Sequence, residues 1–178
     1  MERPNFALIA VSTIDGKIAR HPGHMSDWSS KEDKDFLHKM LGKSDAVIVG
    51  RNTYETAKKP LSKRNCIVFT RSVPAQERSN GKPVFLNPAA TDISDYCSRN
   101  SILKVAVLGG AKTFNYFLAN GLADEIYLTI EPIAFGAGIP LFDSGDKDVF
   151  FGLVSVKKLN RRGTVLLHYR KNPVKGVD

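Results

Sequence analysis

Two adjacent glycines, Gly109 and Gly110, follow the apolar run Val105–Leu108, and Phe114, Phe117 and Leu118 recur behind them at helical spacing. A strand that turns directly into a helix leaves the first amides of that helix unpaired, at the positive end of its dipole. Without side chains at the joint, a phosphate can come close to the backbone. A tight strand–helix turn needs the same doublet for its dihedrals alone, and the doublet is shorter than the full GxGxxG dinucleotide fingerprint. Two more bends share this character. Gly50-Arg51-Asn52-Thr53 follows Asp45–Val49, and there Arg51 and Thr53 either meet an anion or serve as surface charge and helix cap. Thr70-Arg71-Ser72 follows Asn65–Phe69 and is polar throughout.

The elements that must position these bends are readable from hydrophobic periodicity. Phe6–Ser12 is a continuous apolar run of the kind buried on both faces of a sheet. Asp15-Gly16 marks a turn within Thr13–Ala19, and Arg20–Ser30 reads as a loop holding the only tryptophan, Trp28. A lone loop tryptophan is either a packing anchor or a flat wall for a planar ligand. Ser29 or Ser30 caps a helix whose first turn carries Glu32 and Asp33, whose stripe is Phe36, Leu37, Met40 and Leu41, and which stops at Gly42. Pro83–Leu86 is a short strand, Ala90–Arg99 a helix, and Gly121 ends the helix behind the paired glycines. Asp124–Ile133 is a strand, Phe135–Phe142 a glycine-rich loop, and Phe150–Leu159 with Thr164–Tyr169 a hairpin through Asn160–Gly163. The last residues read as frayed.

Strands alternating with helices and closing on a hairpin predict an α/β fold: a mostly parallel central sheet between two helical layers, with a C-terminal antiparallel hairpin. All three polar bends then fall at the carboxyl ends of strands, where open α/β sheets bind ligands. Their convergence predicts a phosphate-bearing ligand.

Bulk properties narrow the alternatives. At 178 residues, 42% hydrophobic and 25% charged, the chain fits a single globular domain spanning 1–178. No apolar run reaches the roughly 18 residues of a membrane span, and Met1-Glu-Arg-Pro leads into strand-like sequence without a signal-peptide pattern. Cys66 and Cys97 are far apart and form no CxxC, which fits reduced thiols in a cytoplasmic protein. The net charge of +8 suits anionic ligands. Lys157, Lys158, Arg161, Arg162, Arg170, Lys171 and Lys175 cluster near the end, but no aromatic-interleaved basic patch suggests nucleic acid. His21 and His24 are close, yet no further ligand stands at useful spacing for a metal.

Four stretches, in order over about four-fifths of the chain, resemble the dihydrofolate reductase superfold. They are closest to the reductase domain of the bifunctional riboflavin-biosynthesis deaminase–reductases. The stretches are Ser12–Ala19, Ser44–Glu55, Leu108-Gly109-Gly110-Ala111 and Gly136–Phe142. The resemblance implies a three-layer fold and an NADPH-dependent oxidoreductase, like dihydrofolate reductase or 5-amino-6-(5-phosphoribosylamino)uracil reductase, working as a homodimer. It implies that Gly50, Arg51, Asn52 and Thr53 contact the cofactor phosphates. Thr70, Arg71 and Ser72 would lie by the adenosine 2′-phosphate, Arg71 favouring NADP over NAD. Leu108, Gly109, Gly110 and Ala111 would take the pyrophosphate, followed by Lys112 and Thr113. The stretch Ala10 to Ile18 would border nicotinamide and substrate. Leu108 stands where the riboflavin-pathway reductases commonly carry glutamate. For the buried carboxylate that opens a helix in folate-reducing members, the reading finds no equivalent.

Hydride transfer asks the protein for placement, exclusion of water and a proton. Asp15 and Asp27 are the expected proton donors or orienting acids, unless Asp15 is only a turn former and Asp27 a solvated loop charge. Ser12, Trp28 and Ser30 are expected to line the substrate side, for a small and anionic heterocycle. The rival expectation on the same fold is a non-catalytic NADP(H) sensor.

Overall fold

The computed structural model describes residues 2–78, 83–142 and 148–172; the expected fraying at the terminus, and Lys175, lie outside them. Strand β1 (Asn5–Thr13) is central. It pairs in parallel with β7 (Lys104–Val107) on one side and β8 (Glu125–Glu131) on the other. Beyond β7 the parallel set continues through β3 (Ala46–Gly50), β4 (Cys66–Phe69) and β6 (Val84–Leu86). Both edges are antiparallel. On one, β5 (Gln76–Arg78) pairs with β6; on the other, β11 (Val165–Lys171) pairs with β8, and β10 (Phe151–Lys158) with β11. The nine strands therefore run β10-β11-β8-β1-β7-β3-β4-β6-β5. This is the expected mostly parallel sheet with its hairpin at one edge.

Side-chain alternation divides the core in two. In β3, Ala46 and Ile48 join one cluster, Val47 and Val49 the other. The first cluster packs under α4 (Ile93–Arg99) and α5 (Ala111–Ala119), with Phe6, Leu8, Phe114 and Phe117 at its centre. The second packs under α1 (Lys31–Gly42), α2 (Arg51–Thr56) and α3 (Lys58–Leu61), around Ile9, Leu41, Tyr54 and Val68. Each fully buried phenylalanine or leucine contributes about 1.5–3 kcal/mol of transfer free energy. Cys97 belongs to the first cluster and Cys66 to the second, so the sheet separates the two free thiols.

The glycine-rich stretch holds an element the sequence reading left as loop. Ile139–Pro140 (β9) pairs antiparallel with Lys17–Ala19 (β2), forming a two-stranded ribbon over the end of β1. Gly138 permits this approach: at φ +146°, a Cβ there would lie 2.4 Å from the Ala19 carbonyl oxygen. The loop before α1 holds one short 3₁₀ turn, Ser26–Trp28.

Candidate active site

Neighbouring strands part at the carboxyl edge of the sheet. β1 pairs with β7 only as far as Leu8 and Val107, whereas it pairs with β8 through Thr13 and Glu131. From Ile9 onward, the edge of β1 that faces β7 has no strand partner. β7 meanwhile leans toward β3: the Leu108 amide donates to the Ile48 carbonyl at 2.9 Å, and the Gly50 amide to the Gly109 carbonyl at 2.8 Å. A cleft opens between two adjacent parallel strands, framed by main-chain groups that need hydrogen-bond partners.

The predicted bends line this edge. A Cβ on Gly50 would sit 2.8 Å from Thr113 Oγ1, and one on Gly110 would sit 3.6 Å from Thr53 Oγ1. The β3–α2 and β7–α5 joints are therefore in contact. Thr70 continues β4 just past Phe69, the register partner of Gly50, and its hydroxyl lies 2.7 Å from that of Ser72. The ends of β8, β1, β7, β3 and β4 thus stand in a row, spanning four strand spacings or about 19 Å. Arg71 and Lys112 are exposed and make no ion pair among the described residues. Arg51 is engaged differently: its Nε donates to Glu55 at 2.8 Å and its guanidinium lies 5.0 Å from the Phe85 ring centroid. Asn52 is exposed, and Ala111 is half-buried at the first position of α5. Leu108, at the glutamate position of the resemblance, is half-buried against the cluster under α1–α3.

Register separates the residues expected around nicotinamide and substrate. Ala10 and Ser12 share the α5 face of β1 with Ile18 packed nearby, while Ile9, Val11 and Thr13 face α1. Trp28 packs edge-on against Phe135, ring centroids 5.0 Å apart, and Arg20 covers the same ring at 3.9 Å. Trp28 is therefore a packing anchor. Its buried Nε1 nevertheless finds no acceptor among the described residues. Ser30 caps α1, accepting from the Asp33 amide at 3.3 Å.

Of the two acids named from the sequence, the structure engages Asp15 in hydrogen bonds and leaves Asp27 facing solvent. Asp15 accepts from the Thr13 hydroxyl and from the amides of Phe135 and Gly136, at 3.1 and 2.8 Å. These bonds, the Thr13 hydroxyl first, hold its carboxyl below the ordinary aspartate value. Asp15 is a clamp between the β1–β2 turn and the loop before β9. Asp27 has an 81% exposed side chain, 3.7 Å from His24 Nε2.

The sequence reading missed Asp33. Assigned to helix-dipole complementation, it is instead 7% exposed, on the face of α1 that meets β8. Burial pushes its carboxyl above the ordinary aspartate value, against the opposing pull of hydrogen bonds from Thr129 and Ser29. The buried acid at the start of a helix, for which the sequence reading found no equivalent, is thus present. One signal was available. Asp33, Phe36, Leu37, Met40 and Leu41 follow the i, i+3, i+4, i+7, i+8 spacing of a single buried stripe.

A profile of the dihydrofolate reductase family matches residues 6–143. The chain belongs to the dihydrofolate reductase family. This family member is 30% identical over 177 residues to the uncharacterized protein YwjB of Bacillus subtilis strain 168, covering 95% of this chain and 98% of that one. Its fold matches a diaminohydroxyphosphoribosylaminopyrimidine deaminase/5-amino-6-(5-phosphoribosylamino)uracil reductase from Thermotoga maritima with a TM-score of 0.71 at 24% identity, over 96% of this chain and 57% of that chain. It also matches the dihydrofolate reductase of Enterococcus faecalis, complexed with NADP(H), with a TM-score of 0.64 at 20% identity, over 94% and 96%. Within the family fold, the glycine joints stand on the β7 side of the gap between β1 and β7, and Asp33 lies against β8, the neighbour on the other side of β1. No described helix is long and apolar enough to cross a membrane.

Proposed function

We propose that this protein is an NADPH-dependent reductase. It transfers a hydride to a small heterocycle of pteridine or ribosylaminopyrimidine type, as in folate or riboflavin metabolism. The parting of β1 from β7, with the Gly50 and Gly110 joints touching beside the gap, carries this reading. These residues fit the cofactor. A Cβ on Gly110 would meet only Thr53 Oγ1 within 4 Å, so the space before that backbone is open to a phosphate.

Gly109, Gly110, Ala111, Lys112 and Thr113 would hold the pyrophosphate, with Gly50, Asn52 and Thr53 across from them. Arg71, between Thr70 and Ser72, would meet the 2′-phosphate. The unpaired edge of β1 can hydrogen-bond a planar carboxamide. When bound, NADPH supplies the hydride. The chain supplies the proton and the placement. Asp33 is buried, which pushes its carboxyl above the ordinary aspartate value, and its carboxyl oxygen is the place where the chain can hold a proton. As a carboxylate, the same group can accept from adjacent ring N–H and amino donors of a heterocycle, which sets the orientation of the ring. Ser12, Trp28 and Ser30 flank the opening.

The proposal extends to a homodimer in the cytoplasm. On β10, Leu153 and Val156 are 56% and 58% exposed, and Val154 and, just before the strand, Phe150 are also exposed, leaving an apolar edge for a second copy to cover. Burial pushes the thiols of Cys66 and Cys97 up to about 12, and they lie on opposite faces of the sheet, in keeping with a reducing compartment.

Titration of NADPH and NADH against Trp28 fluorescence, followed by a screen of pteridines, folates and aminopyrimidines for cofactor oxidation, tests the reading. NADPH binding with turnover of one of these heterocycles supports it. NADPH binding with none oxidising the cofactor favours a sensor, and failure to bind NADPH overturns both.

A further inference from the structure

Glu131 ends β8 on the same face as Thr129, two residues on, and is 5% exposed. Both carboxylate oxygens are engaged. Oε1 accepts from the Ser30 amide at 2.7 Å, and Oε2 from the Thr164 hydroxyl at 2.7 Å. Ser30 is the cap of α1, the helix that carries Asp33 in its first turn. Thr164 is fully buried in the β10–β11 hairpin and is held by Asn160, which also donates to Glu32 at 3.1 Å. One side chain thus joins the end of β8, the start of α1 and the hairpin. No cation pairs with it among the described residues. A buried carboxylate without a counter-ion is costly, and hydrogen bonds alone offset that cost here. A structural knot could be tied with neutral groups, so the charge itself calls for a use.

We propose that Glu131 is a positioning residue for Asp33: through the Ser30 amide it fixes the helix start that carries Asp33, and it sets a second buried carboxylate beside it. The charged and titratable groups around Asp33 fit this role. On α1, Lys34 opposes the effect weakly, because it is exposed and reaches back to the Asp27 carbonyl. Glu32 is exposed and bonded to Asn160. In the preceding turn, Asp27 is solvated beside His24, and Ser29 contributes only a hydroxyl. From β1, Thr13 faces Glu131 in register and carries no charge, and Asp15 is clamped by the loop before β9. From β8, Thr129 donates and Glu131 repels. Glu131 is the buried charge of that set, and like charges at close range disfavour joint ionisation.

The inference rests on the proposed reductase only for what the proton is used for, so its test reads Asp33 without cofactor or substrate. The titration midpoint of the Asp33 side-chain carbon is followed by NMR in the wild-type chain, in Glu131→Gln and in Thr164→Val. The expected result is a lower midpoint in Glu131→Gln, since one neighbouring charge is removed, and an almost unmoved one in Thr164→Val, where the charge stays. Glu131→Met is a second neutral form of similar length, usable if the glutamine variant does not fold, and should lower the midpoint likewise. An unchanged Asp33 midpoint in a folded neutral variant, or equal shifts in Glu131→Gln and Thr164→Val, overturns the charge role. Where the heterocycle screen succeeds, the high-pH limb of kcat/KM should move down with the same variants. Failure of that screen leaves the NMR outcome independent.

Discussion

The amide of Gly50 donates to the carbonyl of Gly109 across 2.8 Å, tying the carboxyl ends of two neighbouring strands to each other just where β1 lets go of β7. The bond draws the glycine doublet away from β1 and so sets the width of the cleft. It also assigns different work to the two members of the doublet.

Gly109 is required by the fold. At φ +93°, a Cβ there would lie 2.7 Å from the buried ring of Phe114. Gly109→Ala should cost about 2–4 kcal/mol of stability, combining the left-handed backbone with overpacking. Gly110 has φ −75°, and its Cβ space is free to 3.6 Å. Gly110→Val should unfold at nearly the wild-type urea concentration yet lose NADPH affinity by tenfold or more, roughly the weight of one or two phosphate hydrogen bonds. Urea denaturation and fluorescence titration of both variants check the split. A stable Gly110→Val that binds NADPH normally would remove the pyrophosphate role.

Arg71→Ala should weaken NADPH by roughly ten- to a hundredfold, the weight of a charge-assisted bond of about 1.5–3 kcal/mol. NADH affinity should barely change, because the residue is exposed and makes no ion pair among the described residues. Equal losses for the two cofactors would show that this arginine does not read the 2′-phosphate. Raised salt should shrink the difference between them.

Asp33→Asn should lower kcat/KM by roughly a hundred- to ten-thousandfold, the usual contribution of a positioned proton donor. Its signature in stability has a definite sign. The folded-state value of Asp33 is raised by burial, so between the ordinary aspartate value and that raised value the native protein holds a proton the unfolded chain has lost. Stability from this group is therefore complete below about pH 4 and falls as pH rises through the folded value. Urea midpoints from about pH 4 to about pH 8 should fall less in Asp33→Asn than in the wild type. Parallel curves would mean that Asp33 titrates as an ordinary surface acid.

Val156→Asp, on the exposed side of β10, should convert dimers to monomers without lowering stability measurably, since the residue is 58% exposed in the single chain. Light scattering after size exclusion reads the mass directly. A wild-type protein that is monomeric at micromolar concentration would remove the dimer from the proposal.

How far the sequence could be read follows from what each feature depends on. The central strands were visible because they are buried on both faces and so read as unbroken apolar runs, as in Ala46–Val49 and Cys66–Phe69. The three polar joints were visible because glycine and short polar residues interrupt those runs. Asp33 was not, because an acid in a first helical turn has a ready local explanation. The groups that act on it, Thr129 and Glu131, lie about a hundred residues away in the chain. The contacts of Asp15 were hidden for the same reason: its partners Phe135 and Gly136 lie some 120 residues on. The β2–β9 ribbon was hidden because strands of three and two residues carry no period to detect.

The unpartnered edge of β1 has one more implication. What it presents to a guest is peptide N–H and C=O, which no substitution can delete short of proline. Side chains around such a slot are free to diverge while the slot persists.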